Sequence, residues 1–135
     1  MMIIGTFSYM KYDIIKEDTS PYFLIRLSGP FNVHDLETCY VEVINNSEWI
    51  SGMDIIWDAQ QCSFDHLSSK DMNVIGYMTM KHKDKRGNGK AAWVVSRDID
   101  FAISRMFWMF NEDRVVFDFR VFRDVEAARK FIIGA

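Results

Sequence analysis

The run Met53-Asp54-Ile55-Ile56-Trp57-Asp58 is short and largely apolar, lies between two amphipathic segments, and decides the fold. An apolar run of this length is the pattern of a strand buried on both faces. Upstream, Leu36, Cys39, Tyr40, Val43 and Ile44 follow the i, i+3, i+4, i+7, i+8 spacing of an amphipathic helix. Asn32 supplies a cap for that helix, with Asp35 three residues on, and Asn45-Asn46-Ser47 closes it. Downstream, Ala59 to Leu67 reads as a polar loop. Ser68 with Asp71 then forms a capping-box-like start to a helix that runs to about His82.

The same alternation extends in both directions. Tyr12 to Glu17 and Tyr22 to Leu27 are strand candidates joined by Asp18-Thr19-Ser20-Pro21, and so short a connection predicts an antiparallel hairpin. Gly29-Pro30 ends the second strand. Past the central helix, Lys83 to Lys90 is a basic loop containing glycines, and Ala91-Ala92-Trp93-Val94-Val95-Ser96 is a further apolar strand. Asp98 or Asp100 starts a helix whose residues Ile99, Ala102, Ile103, Met106, Phe107 and Phe110 form one continuous stripe, expected to face the sheet. Val115 to Phe122 is the last strand. Asp124 caps a short final helix carrying Val125, Ala128, Phe131 and Ile132, with Glu126 in its first turn and Arg129-Lys130 near its end, as the helix dipole favours. The order is β-β-α-β-α-β-α-β-α. It predicts an α/β fold with a mostly parallel sheet, an antiparallel first strand and right-handed crossovers.

Length and composition set bounds on function. A chain of 135 residues is expected to form a single domain and can bury roughly two thirds of its unfolded surface. With 49% hydrophobic and 26% charged residues the chain is globular in character, not disordered. The net charge of −3 gives no overall drive toward nucleic acid, so no nucleic-acid partner is expected. Cys39 and Cys62 are too few for a disulfide framework. Met1-Met2-Ile3-Ile4-Gly5 lacks the basic flank and long apolar run of a signal peptide. No apolar stretch approaches the ~20 residues of a transmembrane helix, so a cytoplasmic location is the expectation. Nine methionines, eleven Phe, five Tyr and four Trp are a heavy load of residues that fill cores and line adaptable binding surfaces.

Three segments carry a resemblance to a known family. They are Leu27-Ser28-Gly29-Pro30-Phe31 at a strand end, the Ile55-Ile56-Trp57-Asp58 strand with its loop to a capped helix, and Val121-Phe122-Arg123-Asp124-Val125-Glu126-Ala127-Ala128. With the hairpin first and a short helix last, the chain resembles the STAS domain and its SpoIIAA-like relatives, the anti-sigma-factor antagonist fold. Within them it is most similar to an uncharacterised bacterial branch that has been compared with both STAS and lipid-binding Sec14 domains. The resemblance implies a SpoIIAA-like fold over about residues 12–133 and a non-enzymatic role in protein–protein contacts. Anti-sigma-factor antagonists place a phosphorylatable serine in an Asp-Ser-Ser-Gly-like turn. Here that turn reads Asp65-His66-Leu67-Ser68-Ser69-Lys70, which puts Leu67 in the acceptor slot with no glycine following. Ser68, next to it, reads first as a helix cap.

Ligands of open α/β sheets sit beyond the carboxyl ends of the parallel strands. In this chain the middle such loop holds Asp58, Cys62, Asp65, His66 and Ser68, a candidate ligand or regulatory loop. A metal or a nucleophile–base pair there would need more: His34 and His82 do not obviously complete a ligand set, and Cys62 lacks an activating context. No catalytic, metal or cofactor assignment follows.

Lys81 to Lys90 is the densest basic stretch. Its Gly87-Asn88-Gly89-Lys90 runs from helix into strand and is followed by Ala91, so it is not a phosphate loop; a solvated turn is the expectation. On the helix starting at Asp98, Phe101 and Trp108 fall opposite the predicted core stripe, with Ser104 and Arg105 between them. Large aromatics on an outer face suit a protein interface, so Phe101, Ser104, Arg105 and Trp108 are the candidate interface. The function expected is an interaction module, a homodimer or one with a protein partner. The alternative is a small apolar-ligand or lipid-binding protein.

Overall fold

The computed structural model describes residues 9–134, so the Met1 to Gly5 reading lies outside the described residues. A five-stranded sheet has the spatial order β1-β2-β3-β4-β5, with β1 Lys11–Ile15, β2 Tyr22–Pro30, β3 Asp54–Ser63, β4 Lys90–Val94 and β5 Asp118–Phe122. β1 pairs antiparallel with β2, from Lys11 opposite Ser28 to Ile15 opposite Leu24. Every later pair is parallel. The helices are α1 Val33–Ile44, α2 Ser69–Lys81, the single turn α3 Lys83–Arg86, α4 Asp98–Asn111 and α5 Val125–Ile133.

Period-two alternation along the parallel strands divides the interior into two layers. Phe23, Ile25, Leu27, Ile55, Trp57, Ala91 and Trp93 point to one face, where Leu36, Cys39, Tyr40 and Val43 of α1 and Ile75 and Met78 of α2 cover them. Leu24, Ile56, Ala92 and Val94 point the other way and pack on Ala128 and Ile132 of α5. Both faces of the central strands are thus covered, which is why their sequences are nearly continuous apolar runs. The caps act as their sequences indicate. Asn32, Ser68 and Asp124 each accept a backbone N–H three residues on, and Ser68 with Asp71 closes a full capping box.

Three expectations are corrected. β3 continues to Ser63, so most of the predicted Ala59–Leu67 loop is strand. It does so because β2 itself extends to Pro30 and pairs Gly29 with Cys62 and Pro30 with Ser63, after an irregularity between Arg26 and Ser28. The basic stretch is not a plain solvated turn. Lys83–Arg86 is helical and Arg86 is fully buried. Its Nη1 donates to Met53 O at 2.7 Å and its Nη2 to Lys90 O at 3.0 Å, tying the starts of β3 and β4 together. The guanidinium lies over the rings of Trp49 and Phe117, and burial pushes its pKa below the ordinary arginine value. Gly87, just after it, has φ +74°, and a Cβ there would stand 2.3 Å from Gly52 N, so the turn has room only for glycine.

The third correction concerns α4, which is rotated from its predicted orientation. Its sheet side carries Phe101, Ser104, Phe107, Trp108 and Asn111, while Ile99, Met106, Met109 and Phe110 of the predicted core stripe and its neighbours are exposed. Three polar residues turn inward because each has a partner. Asp100 accepts from Arg97 Nε at 2.8 Å, Ser104 Oγ donates to Asp100 O, and Asn111 Nδ2 donates to Met72 O.

Candidate functional site

Three features could carry function: the loop between β3 and α2, the outer face of α2 and α4, and a cavity beneath them. The loop does not assemble a reactive cluster. Cys62 is buried, and burial pushes its thiol up to about 12, with Asp58 and Asp100 adding to the rise. Asp58 accepts from Gln60 N and Gln60 Nε2, while His66 is exposed and makes no hydrogen bond to either. Asp65 reaches toward α4, accepting from Arg97 Nη2 at 3.4 Å. The Ser68 hydroxyl is held in the α2 cap, donating to Asp71 Oδ2 and accepting from Asp71 N. Among the described residues no group of three or more His, Cys, Asp or Glu is placed to hold a metal ion.

Three of the four candidate interface residues on α4 are turned inward. Trp108 stacks on Phe119 of β5 with centroids 5.5 Å apart and planes 21° from parallel, and Ser104 is buried. Phe101 is half-buried beneath the guanidiniums of Arg105 and Arg123, and only Arg105 of the four is exposed.

The outward apolar surface consists of other residues. On α4, Met106, Met109 (70% exposed) and Phe110 (53%) face solvent. On α2, Val74, Tyr77 (60%) and Met80 repeat at three-residue spacing and are also exposed. Arg114 joins the two stripes, its guanidinium 5.0 Å from the Tyr77 ring centre and 5.9 Å from that of Phe110. The helices approach closely at Gly76, where a Cβ would come within 2.2 Å of Asn111 Oδ1. The Val74–Tyr77–Met80 spacing was the available sequence signal for this face.

Below the face, a cavity of about 70 Å³ lies between the sheet and helices α1, α2 and α4. Trp57, Trp93 and Phe119 supply its sheet side, and Tyr40, Ile75 and Phe107 its helix side. Leu67, from the loop before α2, is one of its lining residues.

Compared with solved structures, the chain superposes over 97% of its length on an uncharacterised DUF3478-family protein with a SpoIIAA-like fold from Shewanella loihica. The TM-score is 0.61 at 13% identity, and 99% of that chain is covered. The chain has a SpoIIAA-like fold. An anti-sigma factor antagonist from Mycobacterium paratuberculosis superposes comparably, with a TM-score of 0.59 at 14% identity over 93% of this chain and 95% of that one. No family model and no curated protein matches the sequence. The matched fold includes the antiparallel β1–β2 hairpin, the three parallel pairings that follow it and helix α5 on the second face of the sheet. Among the described residues no helix is long and apolar enough to cross a membrane.

Proposed function

We propose that this chain is a non-catalytic interaction module that works through protein–protein contacts, with the outer face of α2 and α4 as its contact surface. The observation that carries the reading is the outward pair Tyr77 and Phe110 bridged by Arg114, with Met106 and Met109 exposed on the same helix as Phe110. Aromatic residues, Met and Arg are the types enriched in interface centres, and a clustered apolar face is a marker of association. The first occupant is a second copy of the chain, because one apolar face can meet itself across a two-fold axis without further specialisation. The likeness to a protein named as an anti-sigma factor antagonist favours protein contacts over the lipid-binding alternative. A cytoplasmic location belongs to this reading.

Size-exclusion chromatography with light scattering tests it. The expected result is a dimer mass that falls to the monomer value on dilution or in a Tyr77→Ser/Phe110→Ser variant. A monomer mass at every concentration would count against self-association through this face.

A further inference from the structure

We propose that the cavity between the sheet and helices α1, α2 and α4 is a binding site for a small uncharged molecule of the hydrocarbon class, selected by size and apolarity with no hydrogen bond to the protein. The inference goes beyond the protein-contact reading and rests on different residues.

The space is of ligand size. One water needs about 10–15 Å³ of such space, so about 70 Å³ has room for a molecule of roughly five heavy atoms. The lining contains no Lys, Arg, His, Asp or Glu, so an ionised ligand would be desolvated with no countercharge. Five lining residues carry a side-chain donor: Tyr40, Trp57, Thr79, Trp93 and Ser104. Their polar atoms add almost nothing to the cavity surface, which is apolar nearly throughout. Thr79 Oγ1 donates instead to Gly76 O at 2.7 Å, and Ser104 Oγ to Asp100 O at 2.7 Å. A water needs several polar partners to occupy such a space and finds almost none, so the cavity favours an apolar occupant.

The walls hold the space open. Trp57 and Trp93 are register partners on β3 and β4, with ring centroids 6.2 Å apart. Trp93 in turn meets Phe31 edge-on at 6.0 Å and Phe64 at 6.2 Å, and those two phenyl rings lie 5.2 Å apart. On the α4 side Phe107 stands edge-on to Phe119 of β5 at 5.8 Å. Each of these rings would lose its aromatic neighbours by swinging inward alone, so the cavity does not close by collapse. The lining atoms therefore lack contacts that a fitted apolar molecule supplies, and indole and phenyl walls suit a hydrocarbon.

Xenon and cyclopentane serve as apolar probes of this size, and acetamide as a small polar comparator. Each is titrated into the full chain and followed through the methyl resonances of Ile75 and Ile103, which line the cavity, with Ile132 on the other face of the sheet as the control. Saturable shifts at Ile75 and Ile103 are expected with xenon and cyclopentane, with Ile132 unmoved and no saturable shift from acetamide. Ile103→Phe on α4 and Leu67→Phe on the loop before α2 each add bulk to the lining. Each should weaken both apolar probes by about tenfold or more while circular dichroism stays native. Because the two substitutions lie on different elements, a folding defect in one leaves the other to carry the test. The proposal is overturned if neither apolar probe gives a saturable shift with the wild-type protein, or if acetamide shifts the same methyls as strongly. It is equally overturned if a folded filling variant binds xenon and cyclopentane as the wild type does.

Discussion

Trp108 of α4 lies nearly flat against Phe119 of β5, with ring centroids 5.5 Å apart. That stack fixes the rotation of α4 about its axis and turns Met106, Met109 and Phe110 toward solvent. Removing the two kinds of aromatic should therefore have unequal consequences for stability. Trp108→Ala should cost about 3 kcal/mol of stability, as expected for a half-buried ring in this position, and lower the urea midpoint. Phe110→Ala should change stability by less than about 0.5 kcal/mol.

Arg86 is expected to be as important to stability as any core hydrophobe. Its alanine variant loses hydrogen bonds to Met53 O and Lys90 O, leaves a void between Trp49 and Phe117, and frees two carbonyls at the strand starts. A loss of about 3 kcal/mol or more is expected from urea unfolding. Arg86→Lys should rescue only a small part, because a single ammonium does not reproduce the two-pronged geometry.

Ser68→Ala should cost about 1 kcal/mol, the usual effect of losing an N-cap. The loss should be local. Amide exchange should speed up over the first turn of α2 and not in the sheet. A Ser68→Asp variant keeps a capping oxygen and should hold most of the stability.

Alkaline pH should unfold the protein through its thiols. Cys39 and Cys62 ionise near 9.0 when unfolded, whereas burial raises each to about 12 in the fold. Below pH 9 the thiols are neutral in both states and stability does not depend on them. Above it the unfolded chain releases protons that the folded chain retains. Stability should then fall by about 2.7 kcal/mol per pH unit for the two thiols together, between pH 9 and 12. Cys39→Ser/Cys62→Ala should flatten that slope in denaturation curves collected from pH 8 to 11.

The contrast between α1 and α4 explains which parts of the molecule were legible in the sequence. α1 has one apolar stripe, and Leu36, Cys39, Tyr40, Val43 and Ile44 are all buried as their spacing indicates. The order of elements along the chain, the hairpin and the caps at Asn32, Ser68 and Asp124 were equally readable, since each depends on local spacing or side-chain chemistry. α4 is apolar on two sides, and Phe107 belongs to both stripes. The choice between them was made by contacts distant in sequence: Phe119 under Trp108, Met72 O for Asn111, and Arg97 for Asp100. The same kind of information hid the end of β3, because the strand extends only as far as its partner β2 does. The candidate contact face moved with α4, from Phe101 and Trp108 to Tyr77, Met109 and Phe110.

Sedimentation velocity over a concentration series, on the wild-type chain and on Tyr77→Ser/Phe110→Ser, tests the proposed contact face most directly. The account predicts a concentration-dependent dimer for the wild type and a folded monomer for the variant, with matching circular dichroism spectra. A variant that dimerises as strongly as the wild type, or a wild type that sediments as a monomer throughout, would contradict it.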